Sequence, residues 1–324
     1  MEKIIKPTIS VIMPIFNAET YLSLALESIL DQSFCDFELI LINDGSTDNS
    51  LNIIRKFQQN DSRIILINND VNRGLIPSLN LGLRKAKGKY IARMDADDIC
   101  TLDRFEFQVD YLNNHPEIFL VAGSFYIIDE NGNILRKKQK EYTNEQIKSK
   151  LLKSGIIHHP TVMFRNDSSV YYRDKLTHGE DRDLWLRFIS EGKRMYMSTK
   201  IVLYYRIHEK SISSSTALTQ RAYIKKVLEW HSQRVKTGKD SYEFFDPKTL
   251  IKSEGDLNET NKRRKIKLVF LSDFDSVTVL NVIRKYWKDE GFFSWYTSFF
   301  LYLICIMPEN LSMFIRDKIR KNWE

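Results

Sequence analysis

Cysteine is scarce: three residues in a chain of 324, Cys35, Cys100 and Cys305, lie far apart and show no metal-ligand spacing. They cannot all pair with one another, so a disulfide scaffold and a thiolate metal module are excluded, and the pattern fits a reducing compartment. No G-x-G-x-x-G follows the first predicted strand. Gly82 and Gly88, before Lys89-Tyr90, have the wrong spacing and ending for a P-loop. Dinucleotide-dependent dehydrogenases and P-loop enzymes are thereby disfavoured. Long apolar runs are also rare. The N-terminal one is short and bracketed by Pro7 and Pro14, with no small-residue cleavage site after it, so it reads as a strand and not as a secretion signal.

What is present is ordinary for a globular chain, with 43% hydrophobic and 28% charged residues and room for one large or two smaller domains. The formal charge is +7, with basic runs at 261–267 and 315–321, which calls for an anionic partner. A nucleic acid is disfavoured because no recognition motif is interleaved with these runs. From Thr8 to Tyr90 short strands alternate with amphipathic helices, which predicts right-handed βαβ crossovers and a mostly parallel sheet flanked by helices. Beyond Thr101 the spacing predicts helices near 102–113, 143–153 and 180–191. It also predicts strands around a turn at Asn131-Gly132, and a strand pair at "RMYM" and "IVLYYRIH". The Ser-rich stretch 211–218 marks the expected boundary between a domain over residues 1–215 and a helical region over 216–324.

Acids gather where the predicted strands end. "LILINDGSTDNS" runs from a strand through Asn43-Asp44-Gly45 into cap-type residues. That composition suits a strand-to-helix turn, and equally a ligand crevice outside the carboxyl ends of parallel strands. "RMDADD" places Asp95, Asp97 and Asp98 within four residues. Crowded carboxylates raise one another's pKa unless a cation or hydrogen-bond donors compensate, and hard oxygen ligands favour Mg²⁺ or Mn²⁺. Capping of the following helix is the alternative.

Several stretches in order, "SVIMPIFNAETYLSLALESILDQSF", "FELILINDGSTDNS", "NRGLIPSLNLGLRKAKGKYIARMDADD", "HHPTVMFR", "HGEDRDLWLRF" and "YRIHEKSIS", resemble the family 2 glycosyltransferases with the nucleotide-diphospho-sugar transferase fold called GT-A. The match covers about Thr8 to Ser213 and implies an α/β fold and an inverting sugar transfer from a nucleotide-sugar donor, UDP-linked, to a saccharide hydroxyl. By position it implies that Pro14, Phe16 and Asn17 form the nucleotide loop, that Asp44 accepts from the base, and that Asp95 contacts ribose or diphosphate. Asp97 and His208 would hold Mn²⁺ or Mg²⁺, Asp181 would be the catalytic base, and Arg73 would meet a phosphate or the base. Where the family often carries two acids before Gly-Ser, this chain has Asn43-Asp44. His158 and His159 suit an acceptor pocket or a packing role equally.

The resemblance further implies bacterial surface-polysaccharide assembly on a lipid-linked acceptor. The run 291–308 carries no charge over 18 residues, and cations with apolar anchors follow it. Peripheral attachment to the anionic inner face of the cell membrane is therefore expected, the alternative being a core helix or dimer interface. Two rivals are a sugar-phosphate nucleotidyltransferase, which would want a Gly-rich first loop where "PIFNAET" has no glycine, and a non-catalytic nucleotide-sugar-binding relative.

Overall fold

A computed structural model of the chain describes residues 6–208 and 217–252, which fall into two compact units, Met1–Pro247 and Lys248–Glu324. The basic runs and the apolar run 291–308 lie outside the described residues. Of the second unit only a short helix, Lys248–Lys252, is described.

The first unit begins with β1 (Ile9–Ile15), α1 (Leu22–Leu30), β2 (Phe37–Asp44), α2 (Ser50–Asn60), β3 (Ile64–Asn69), α3 (Leu75–Lys85) and β4 (Tyr90–Arg93). Strands β1 and β2 are almost wholly buried, as near-continuous Val/Ile/Leu runs covered on both faces should be. The four strands pair in parallel in the spatial order β3-β2-β1-β4. The chain thus winds outward from β1 and returns on its other side, so a crevice opens at the carboxyl ends of β1 and β4, where the strand order reverses.

The sheet continues through β5 (Ile99–Cys100), β6 (Ile118–Ile128), β7 (Ile134–Lys138), β8 (Val162–Arg165) and β9 (Arg194–Arg206), with α4 (Arg104–Asn114), α5 (Asn144–Leu151) and α6 (Glu180–Ser190) between them. Beyond β4 it is mixed, because β8 enters antiparallel between β4 and β6, while β9 runs parallel to β6 and antiparallel to β5. The expected hairpin at Asn131-Gly132 is the β6–β7 pair. One expectation is corrected: "RMYM" and "IVLYYRIH" are one strand, β9, and not two. The linking residues Ser198-Thr199-Lys200 contain no Gly, Pro, Asn or Asp. The register against β6 jumps from Met197 to Ile201, so the surplus residues bulge without ending the strand.

Helix α7 (Ala217–Thr237) packs on α6 and buries Tyr223, Val227 and Trp230. Charged groups fix this contact. Asp183 of α6, fully buried, pairs with Arg187 at 3.1 Å and Arg173 at 3.5 Å, and Arg173 reaches Asp240 beyond α7 at 2.6 Å. No helix among the described residues is long and apolar enough to cross a membrane.

Candidate active site

A cleft of about 1730 Å³ opens at the carboxyl ends of β1 and β4. Pro14, Phe16, Asn17, Asp44, Arg73, Asp95, Asp97, Asp181 and His208, the nine residues singled out from sequence, all line it.

On one side the loops after β1 and β2 are bonded to each other. Asn17, held at φ 50°, accepts from Thr47 N at 2.8 Å, while its own N donates to Ser46 Oγ at 3.1 Å. Ala18 N and Glu19 N donate to Ser50 Oγ and Asp48 Oδ2, each at 2.9 Å. The Ser/Thr/Asp cluster after Gly45 therefore stitches the adjacent loop, a job beyond capping α2. Gly45 has φ +68°, and a Cβ there would lie 2.5 Å from the carbonyl carbon of Val71, so only glycine lets the loop after β2 approach the loop after β3. The buried Asp44 carboxylate accepts from Asn69 Nδ2 at 2.8 Å, Arg73 N at 3.1 Å and Gly74 N at 2.7 Å. It thereby sets the position of the Arg73 loop, and of the roughly four acceptor sites on a carboxylate about one is left for a ligand.

The acids after β4 are arranged in depth. Asp98 is fully buried and accepts from Arg206 N at 2.8 Å, while its Oδ2 has no hydrogen-bond partner among the described residues. Burial, then the charges of Asp95 and Asp97, hold its carboxyl well above the usual range. Burial also pushes Asp95 up, against the pull of Arg93, with which it forms an ion pair. Asp97 Oδ2 lies 3.0 Å from His208 Nε2. One ligand atom from each of Asp95, Asp97 and Asp98 falls within 4.8 Å of the others. Three crowded carboxylates, two of them (Asp95 and Asp98) with raised proton affinity, and an orphaned buried oxygen fit a hard divalent cation, which would relieve the repulsion. His208 joins such a set only if Nε2 carries the lone pair, with the proton on Nδ1.

Facing these acids is the start of α6, where Gly179 at φ 72° turns the chain and places Glu180 and Asp181 in the first helical turn. Asp181 Oδ1 accepts from Arg182 N at 2.6 Å, which fixes the carboxylate and leaves Oδ2 for another partner. Burial raises Asp181, and burial with the charge of Asp181 pushes Glu180 up to about 7. The two carboxyls titrate together, and the pair retains a proton to near neutrality. His158, pushed down to about 4 by burial, packs on Phe125 at 4.2 Å between ring centroids. The buried His159 meets Tyr172 Oη at 2.7 Å. Both histidines line the cleft, and both are also packed among aromatic rings.

Sequence reasoning passed over Arg93. It ends β4, is buried, pairs with Asp95, and its charge is also felt by Glu180 and Asp181. The signal was available, as a lone cation inside an otherwise apolar, buried strand.

The Glu180 shift has a measurable consequence. Its ordinary value is 4.5 and its folded value about 7, so below pH 4.5 both folded and unfolded states hold the proton and no penalty exists. Between pH 4.5 and 7 the unfolded chain ionises first, and the contribution to stability falls, remaining lost above 7. Glu180→Gln should therefore gain about 1–3 kcal/mol relative to the parent between pH 4.5 and 8. Urea unfolding of both proteins at the two pH values, with chelator present, checks this, and equal pH slopes would refute it.

The family model for "Glycosyl transferase family 2" matches residues 10–171. The O-antigen biosynthesis glycosyltransferase WbnJ of Escherichia coli is 31% identical over 250 residues, which cover 75% of this chain and 97% of that protein. Among solved structures, S. aureus TarS 1–349 in complex with UDP-GlcNAc aligns with TM-score 0.59 at 22% identity, covering 71% of this chain and 67% of that one. The mannosyltransferase PcManGT of Pyrobaculum calidifontis, in complex with GDP-Man and Mn²⁺, aligns with TM-score 0.58 at 15% identity over 99% and 88% of the two chains. At these identities the two structures speak for the fold, and the sequence matches for the family.

Proposed function

Because the chain belongs to glycosyl transferase family 2, we propose that it moves a sugar from a UDP-linked donor to a hydroxyl of a saccharide acceptor, with inversion at the anomeric carbon. The observation that carries this reading is the meeting in one cleft of a cation-competent acid cluster and a second acid pair on α6. Proteins of this fold bind UDP-GlcNAc or GDP-Man, and a relative serves O-antigen biosynthesis. Those facts support a nucleotide-sugar donor and a polysaccharide product, built here on a lipid-linked saccharide.

In this mechanism Asp44 and the loop it organises receive the base, Pro14, Phe16 and Asn17 wall the nucleoside, and Arg73 reaches a phosphate. Asp95 faces the ribose and diphosphate. A Mn²⁺ or Mg²⁺ held by Asp97 and His208, with the neighbouring acids, would supply positive charge to the departing diphosphate. The Oδ2 of Asp181 takes the proton of the acceptor hydroxyl as that oxygen bonds to the anomeric carbon. The bond to the diphosphate breaks, and its electron pair leaves with the phosphate oxygen. Residues 291–324, outside the described residues, would attach the enzyme to an anionic membrane surface where such acceptors reside.

A panel of UDP-, GDP- and dTDP-sugars with Mn²⁺, read as thermal shift and then as donor hydrolysis, tests this. At a concentration 100-fold above Kd, a donor should stabilise by ~2.7 kcal/mol, or roughly 5–10 °C in a domain of this size. UDP-sugars should give the largest shift. If no sugar nucleotide stabilises the protein, the reading fails.

A further inference from the structure

The wall of the cleft beside Asp181 is built by α7, and its chemistry differs from the donor side. Gln220, Arg221, Ile224, Lys225 and Leu228 face the cleft, a spacing that puts them on one face of the helix, while Tyr223, Val227 and Trp230 face inward. Ile224 fixes that face against the base-bearing turn: a Cβ on Gly179 would lie 2.8 Å from Ile224 Cδ1, and His178 packs on Tyr223 at 5.8 Å between rings. Arg221 and Lys225 flank Ile224 within about one helical turn. Both are exposed, and neither has a hydrogen bond or ion pair among the described residues. Asp174, an acid of the same wall, is already engaged by the Tyr242 hydroxyl.

Two cations without a partner among the described residues thus stand beside the turn that carries Asp181, the proposed base, in a cleft whose other side is acidic. We propose that Arg221 and Lys225 form an oxyanion subsite for the acceptor, which carries a phosphate ester or a sugar carboxylate next to the sugar being extended. This rests on the glycosyl-transfer reading above and adds the class of acceptor. The planar guanidinium can take two oxygens of such a group while the ammonium supplies a point charge. The two cations would also offset the repulsion that an anionic acceptor meets from Glu180 and Asp181.

The test uses the full chain saturated with Mn²⁺ and UDP, so that the donor's own phosphate positions are filled. Glucose 1-phosphate, methyl glucuronide and neutral methyl glucoside are then titrated by ligand-observed NMR. Glucose 1-phosphate or methyl glucuronide should bind more tightly than methyl glucoside, and which of the two does so distinguishes phosphate ester from carboxylate. In Arg221→Gln/Lys225→Gln that binding should weaken by about 10- to 100-fold, the range expected for lost charge-assisted hydrogen bonds. Lys236→Gln/Lys239→Gln, which removes the same charge from exposed positions away from the cleft, should behave as the parent. UDP affinity and melting temperature of each variant are measured first, so a folding defect is seen directly, and the single variants should each show part of the loss. Equal binding of charged and neutral probes overturns the proposal. So does binding of the anionic probe that appears only when UDP is omitted, which would assign the cations to the donor. If UDP and every sugar nucleotide fail to bind in the initial titration, the glycosyl-transfer reading itself fails and the acceptor assignment falls with it.

Discussion

Asp181→Asn should leave donor affinity intact and lower turnover by ~10² to 10⁴. The amide keeps the size of the carboxylate, the start of α6 and a carbonyl oxygen able to accept from Arg182 N, so the geometry of the cleft survives. What disappears is the ability to take a proton from the attacking hydroxyl. Single-turnover transfer and donor binding, measured side by side, separate the two. Turnover close to the parent's would move the base elsewhere, and Glu180 is the next candidate because it shares the turn and keeps its proton to about pH 7. In that event Glu180→Gln should show the loss that Asp181→Asn did not.

Excess chelator should abolish transfer, with Mn²⁺ or Mg²⁺ restoring it. Asp95, Asp97 and Asp98 face one another, and burial with neighbouring charge raises the proton affinity of Asp95 and Asp98, an arrangement that a divalent cation relieves. Asp97→Ala should weaken donor binding in the presence of metal and have little effect in its absence, since in the proposed mechanism Asp97 acts on the donor's phosphates through the cation. Calorimetric titrations of UDP with and without Mn²⁺ give that comparison. Full transfer activity in chelator would remove the metal from the mechanism.

The first four strands and three helices were legible because each is a short element with a clean period, joined by turns rich in Gly, Asn and Asp. The candidate site was legible for a related reason. Strand ends in a parallel sheet converge, so acids spaced far apart along the chain, such as Asp44 and Asp95, could be expected near one another, and the family resemblance supplied the remaining positions, Asn17 among them. The rest depends on contacts that carry no local signal. Nothing in "TVMFR" says that β8 inserts antiparallel between β4 and β6, and the bulge at Ser198–Lys200 looks like a turn to any reading of period. Asp183 sits in the same "EDRD" as Asp181, yet it points to Arg173 and Arg187 and holds α6 to the segment after α7. Arg93 was hidden by its surroundings, because an apolar strand draws attention to what it packs and away from its final residue.

The cross-bonding of the loops after β1 and β2 bears on the thermodynamics of donor capture. Backbone donors of Asn17, Ala18 and Glu19 are already committed to side chains at Ser46, Ser50 and Asp48, and Gly45 locks the pair against the loop that Asp44 holds. Ordering a residue costs about 1–2 kcal/mol of conformational entropy, and here that cost has been met in folding, before any nucleotide arrives. The half of the cleft proposed for the nucleoside is thus preorganised: binding there would keep most of its contact energy as affinity, with a small entropic penalty from the protein.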